Sequence, residues 1–106
     1  MSTVTFGPWV GRITHGTYDN GRAALRLIGK MGPIATCTVN LFDKKMEQDE
    51  VAIKDYAENE GMLDALMDAG VVQHPHRYVL VMMDSGPEAV PICRMSTQET
   101  LLNGST

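Results

Sequence analysis

The stretch Ala35-Thr36-Cys37-Thr38-Val39-Asn40-Leu41 alternates apolar and polar side chains one by one. Successive side chains of a strand point to opposite faces, so Ala35, Cys37, Val39 and Leu41 fall on one side and Thr36, Thr38 and Asn40 on the other. Threonine and valine also favour extended backbone. The stretch predicts a strand with one buried and one wet face, and the residues before it repeat the pattern. Ala23, Leu25 and Leu27 alternate with Arg22, Ala24 and Arg26. Residues 4–14 predict another strand, bent or bulged at Gly7-Pro8. Asp19-Asn20-Gly21 and the segment 29–33 supply the turns between them. Three strands joined by short turns argue for an antiparallel meander.

Downstream, 42–50 is polar and predicts a loop, and 51–54 a short strand. The helical period appears once, over about residues 60–69. There Leu63, Leu66, Met67 and Gly70 share a face, with Met62 and Ala69 beside it. Asn59 is placed to cap its start, and Asp55 with Glu58 forms a second capping candidate. Gly70 fits a C-terminal glycine cap with Val71 packing back on Leu66. Residues 78–83 and 89–95 predict a hairpin around Asp84-Ser85-Gly86-Pro87. Pro91 cannot donate to a ladder, which suggests an edge strand with that position facing out. The sum is an α+β fold, an antiparallel sheet of about five strands with one main helix on a face. Residues 1–95 form one domain, and 96–106 a polar, loose tail.

A chain of 106 residues, 43 % hydrophobic and 21 % charged, fits a single globular domain with a core of its own. Aromatics are sparse and the eight methionines numerous, so the core is aliphatic and adaptable. No apolar run approaches the ~18 residues of a membrane helix, and the N-terminus lacks a secretory pattern. A cytoplasmic protein is expected, with Cys37 and Cys93 reduced and buried.

Little in the residues points to catalysis. His15, His74 and His76 belong to no metal-ligating element, and neither cysteine is paired in a motif. No metal or cofactor is therefore expected. There is no glycine-rich phosphate loop, and Ser85 lacks the flanking glycine and following helix of a nucleophile elbow. Nine scattered basic residues and a net charge of −4 argue against direct nucleic-acid binding. Arg12, Arg22 and Arg26 are expected together on a solvated sheet face.

The acids are distributed unevenly. Between Asp43 and Asp68 lie nine carboxylates against three lysines, a net of −6, whereas residues 1–42 carry +3. Glu60, Asp64 and Asp68 recur every four residues along one helix face with no lysine or arginine between them. Like charges at that spacing repel by a few tenths of a kcal/mol per pair, roughly. Their ~6 Å rise is near the spacing of successive phosphates along a nucleic-acid strand. Such a ridge suits a basic, nucleic-acid-binding surface of another protein, although acidic faces also serve simply as solvated surface. The partner-binding candidates are Glu47, Asp49, Glu50, Glu58, Glu60, Asp64 and Asp68.

The runs Tyr18-Asp19-Asn20-Gly21-Arg22-Ala23-Ala24-Leu25, Ala35-Thr36-Cys37-Thr38-Val39-Asn40-Leu41 and Val90-Pro91-Ile92-Cys93 resemble those of a small bacterial family. So does Asp49-Glu50-Val51-Ala52-Ile53-Lys54-Asp55-Tyr56-Ala57-Glu58-Asn59-Glu60-Gly61-Met62-Leu63, the most specific block. Its members are proteins of ~100 residues, uncharacterised, carried by plasmids, conjugative elements and phages. The resemblance spans most of residues 6–95 and departs near 78–87. It implies a setting rather than an activity: an accessory protein of a mobile element. By analogy with that setting, the expectation is a non-enzymatic inhibitor of a bacterial defence system, of anti-CRISPR or anti-restriction type, whose partner is a host effector complex. The alternative is an accessory module of a plasmid or phage that works as a homodimer or larger homo-oligomer, through an edge near Pro91 and the run Val81-Met82-Met83.

Overall fold

The computed structural model describes residues 3–96, so all but the first residue of the tail expected over 96–106 lies outside the described residues. Among the described residues, seven strands, rather than about five, form two antiparallel sheets. The first is a meander of β1 (Thr3–Phe6), β2 (Trp9–Thr17), β3 (Ala23–Gly29) and β4 (Gly32–Thr36) in chain order. The second places β7 (Gly86–Arg94) between β5 (Glu50–Ala52) and β6 (Arg77–Met83). One helix, α1 (Met62–Asp68), follows a 3₁₀ turn at Ala57–Asn59.

Two stretches differ from the sequence reading, the first because glycine can reverse the chain. Gly7, at φ +58°, opens a two-residue turn in which Phe6 pairs with Trp9. What the sequence suggests as one bent strand is therefore a hairpin. The alternating stretch 35–41 also divides. Its first residues close β4, and the chain then leaves the first sheet for the second. Cys37 N–H donates to Leu25 C=O of β3, while Lys54 N–H donates to Cys37 C=O. Val39 N–H reaches Ala52 C=O of β5.

The inner face of the first sheet supplies Val4, Ile13, Leu25 and Leu27 to the main core. Val51, Ile53 and Cys93 of the second sheet region meet them, and Met62, Ala65 and Leu66 of α1 join the same cluster. A smaller cluster of Leu41, Ala52, Val90 and Ile92 covers the opposite face of the second sheet. Both cysteines are free and fully buried, and burial pushes each thiol up to about 12.

The helix is shorter at its start than its apolar period suggests. Gly61, at φ +97°, occupies the N-cap, and Asn59 is buried, donating to Thr36 C=O at 2.6 Å instead of capping. Asp55 does the capping across a longer span, accepting the N–H groups of Gly61 and Leu63 at 3.0 and 2.9 Å. At the other end Gly70 lies at φ +74°. Its N–H donates to Met67 C=O and Val71 N–H to Leu66 C=O, the double bond pattern of a Schellman cap.

Pro91 requires a correction: it is buried in the central strand, not exposed on an edge. Met83 pairs with Gly86 across the two-residue turn Asp84-Ser85, and such a turn closes on a directly bonded pair. Bonded and non-bonded pairs then alternate, leaving Pro87, Ala89 and Pro91 at positions that do not bond to β6. His76 N–H donating to Ile92 C=O fits that phase. On the other side β5 ends at Ala52 opposite Ile92, one residue short of needing the N–H that Pro91 lacks. Pro91 still accepts from Ile53 N–H at 3.0 Å.

Close approach of β2 to β3 makes Gly11 sensitive. A Cβ there would sit 2.5 Å from the Ile28 carbonyl oxygen, which is backbone and cannot step aside, whereas a Cβ on Gly16 meets nothing nearer than 4.0 Å. Gly11→Ala is expected to lower stability by about 2–3 kcal/mol, as overpacking does. Gly16→Ala is expected to stay within about 0.5 kcal/mol of the parent. Urea unfolding of the two variants measures the difference.

Candidate binding site

The seven acids singled out above do not form one surface. Four of them carry internal partners. Glu50, buried at the start of β5, receives Arg77 in a fork, Nη2 to Oε1 at 3.0 Å and Nε to Oε2 at 3.3 Å. His76 Nε2 lies 2.5 Å from the same Oε2, and Glu47 N–H donates to Oε1 at 2.8 Å. The Arg77 hydrogen bond is the main reason the Glu50 carboxyl is held down at about 2, against the opposing effect of burial. Arg94 Nη1 bonds Asp49 Oδ1 at 2.8 Å and Glu47 Oε1 at 3.3 Å. Glu58 pairs with Lys54, four residues earlier in the chain, at 2.6 Å.

These arginines strap the polar loop 42–49 to the sheets. Arg77 also donates to Lys45 C=O, and Arg22 donates to the carbonyls of Leu41 and Lys44. Arg22 thus leaves the solvated sheet face on which Arg12 and Arg26 remain exposed. The acidic loop expected to face a partner is largely neutralised from within. Its cationic partners lie 27 to 47 residues further along the chain, so no local spacing revealed them.

Glu60, Asp64 and Asp68 are different. All three are exposed, and among the described residues none forms an ion pair with them. The buried face of α1 turns Met62, Ala65 and Leu66 inward, which fixes Asp64 and Asp68 on the outer side, whereas Glu60, expected on the same helix face, precedes the helix in extended backbone because Gly61 takes the N-cap. They form one wall of an open groove of about 560 Å³, and the hairpin turn of β1 and β2 forms the other with Phe6, Pro8 and Trp9. Trp9 is 55 % exposed. The sequence analysis missed this aromatic wall. The signal was the Gly7-Pro8 turn, because pairing Phe6 with Trp9 sets both rings on the same face.

The groove combines unneutralised carboxylates with an exposed indole. That pairing suits a cationic side chain, which a carboxylate can grip through its N–H groups while the ring accepts its flat face. Among the described residues no three His, Cys, Asp or Glu are grouped to hold a metal ion. No described helix is long and apolar enough to cross a membrane. Comparison with protein families, with curated proteins and with solved structures finds no match.

The Glu50 cluster predicts a pH signature. Its folded pKa lies below its ordinary 4.5, so its stabilisation is fully present above that value and is lost as pH falls toward about 2. Glu50→Gln removes the charge but keeps the shape, and leaves Arg77 and His76 without their anion. The variant should lose about 2–3 kcal/mol at neutral pH, in the range of hydrogen bonds to charged groups. Its stability should also fall less steeply than the parent's between pH 4.5 and 2. Urea unfolding across that range reads both effects.

Proposed function

We propose that this chain is a non-enzymatic binding protein that inhibits a bacterial defence effector complex. The α1 ridge would occupy a basic surface of the effector that otherwise holds nucleic acid. The observation that carries the reading is the contrast within one acidic segment. Glu47, Asp49, Glu50 and Glu58 are matched by arginine, histidine or lysine, while Glu60, Asp64 and Asp68 are left bare beside Trp9.

Stability alone would favour another arrangement. Asp68 is the last residue of α1, where the helix dipole disfavours a negative charge, and α1 has no basic residue in its last turn. The carboxylates of Asp64 and Asp68, four residues apart on α1, repel as well. A lysine at position 68 would relieve both effects. Repulsion kept without a local partner is what an anionic docking face requires, since it is relieved when a cationic surface arrives. Trp9 adds a stacking partner for arginine, a side chain common on nucleic-acid-binding surfaces. The likeness to small proteins of mobile elements supplies the defence setting.

The test is affinity capture from a lysate of a bacterium carrying a restriction or CRISPR effector, followed by association kinetics on the captured complex. Wild type should recover the effector, with an on-rate that falls as salt rises. The variant Glu60→Gln, Asp64→Asn, Asp68→Asn should fold as well as the parent or better, and associate roughly ten-fold more slowly at low salt. Trp9→Ala should weaken binding by about 0.5–2 kcal/mol, chiefly through faster dissociation. If the neutral-ridge variant captures the effector as fast as wild type, the ridge is solvated surface and the proposal fails.

A further inference from the structure

The hairpin of β6 and β7 extends beyond the main core, and its two edges are built differently. On the β7 side, Pro87 and Ala89 face the outer edge beyond the end of β5, and Pro87 lacks an N–H. A proline there blunts the edge against strand addition. The β4 edge carries Pro33, and β5 is only three residues long. The β6 edge has none of these protections. It runs seven residues, and positions 78–83 (Tyr-Val-Leu-Val-Met-Met) hold no proline, glycine or charge.

The phase of the ladder decides what that edge presents. Arg77, Val79, Val81 and Met83 bond toward β7, so Tyr78, Leu80 and Met82 direct their N–H and C=O groups outward. The side chains of the same three residues are also the exposed ones, at 60 %, 67 % and 77 %. Among the described residues no other segment pairs with this edge. Open backbone groups and bare apolar side chains therefore coincide on three alternate residues.

We infer that β6 is a self-association edge: two copies of this chain pair their β6 strands antiparallel about a two-fold axis at Leu80, joining two three-stranded sheets into one of six. The sequence is self-complementary in that register. Leu80 lies opposite Leu80, and Tyr78 opposite Met82 of the other copy, in both directions. Each outward residue then forms a directly bonded pair, about six backbone hydrogen bonds in all. The facing side chains make one aliphatic and two aromatic–thioether pairs, both favourable across strands. No charge lies between Arg77 and Asp84 to oppose the approach. A second copy fits this edge better than a charged segment would, because the edge offers no ion to match. A single strand pair buries less area than a standard interface, so the dimer is weak and depends on concentration. The two-fold closes the assembly, as each copy uses its β6 edge once. This inference is independent of the groove beside α1.

Sedimentation equilibrium from micromolar to millimolar protein tests it, with the variants Leu80→Lys and Leu80→Pro. The Leu80 N–H points away from β7 and its side chain is exposed, so neither change removes a bond of the fold. Wild type should pass from monomer to dimer as concentration rises. Leu80→Lys sets two like charges opposite each other and should weaken dimerisation at least ~ten-fold, with an unchanged unfolding midpoint in dilute solution. Leu80→Pro should be monomeric throughout; if it fails to fold, the lysine variant still decides. In wild type, amide exchange at Tyr78, Leu80 and Met82 should slow with concentration, while Val79 and Val81 stay protected at every concentration. The inference is overturned if wild type is monomeric over the whole range. It is equally overturned if the dimer persists in the folded variants, or if assembly continues beyond two copies.

Discussion

At Cys37 and Thr38 the chain belongs to two sheets at once, and the rest of the fold is arranged around that passage. Cys37 donates its N–H to Leu25 in the first sheet and accepts from Lys54 beside the second. Thr38 is buried, yet its hydroxyl takes Leu25 N–H at 3.3 Å and meets the Tyr18 hydroxyl at 2.8 Å. A buried hydroxyl without partners would be unfavourable by about 1–3 kcal/mol, so these bonds are required for the segment to lie where it does. With the crossing held, Val51, Ile53 and Cys93 face Leu25 and Leu27, and α1 closes the space between the sheets.

The same crossing explains how charge is used. Leaving the first sheet at residue 37 returns the chain as a polar loop alongside β6 and β7, within reach of Arg77 and Arg94. Those arginines bind acids far away in sequence and, with Arg22, tie down the carbonyls of the loop. Glu50 is the anchor, a buried carboxylate whose desolvation is offset by an arginine fork and a backbone N–H. Little of this negative charge remains to act outside the molecule. Glu60, just before α1, and Asp64 and Asp68 on its outer side remain exposed without an ion pair among the described residues, while the other side of the helix is committed to the core.

The two exposed features, the groove beside α1 and the edge of β6, arise from opposite physics. The first is anionic with an aromatic wall, so it is steered by long-range charge and sensitive to salt. The second is neutral and depends on open backbone groups and side-chain match. Pro87 on one edge of the same hairpin and no proline on the other make this asymmetry local to β6.

Local patterns alone determined the antiparallel character of the chain, the helix near residues 60–69, the Gly70 cap and the acidic bias of 43–68, because each is written in period, turn chemistry or composition within a few residues. Alternation at 35–41 marked a strand of which β4 keeps only residues 35–36, and it could not say that the following residues would pass between two sheets or that Thr38 would be buried. That depends on which strands compete for their N–H and C=O groups. Proline at 91 announced a missing donor, yet only the pairing phase showed that neither neighbouring strand requires it. The seven candidate acids looked alike in sequence, and tertiary structure separated them by bringing Arg77, Arg94 and Lys54 to four and Trp9 to the other three. An ion pair depends on distance in space, and the chain sets that distance only after the sheets have packed.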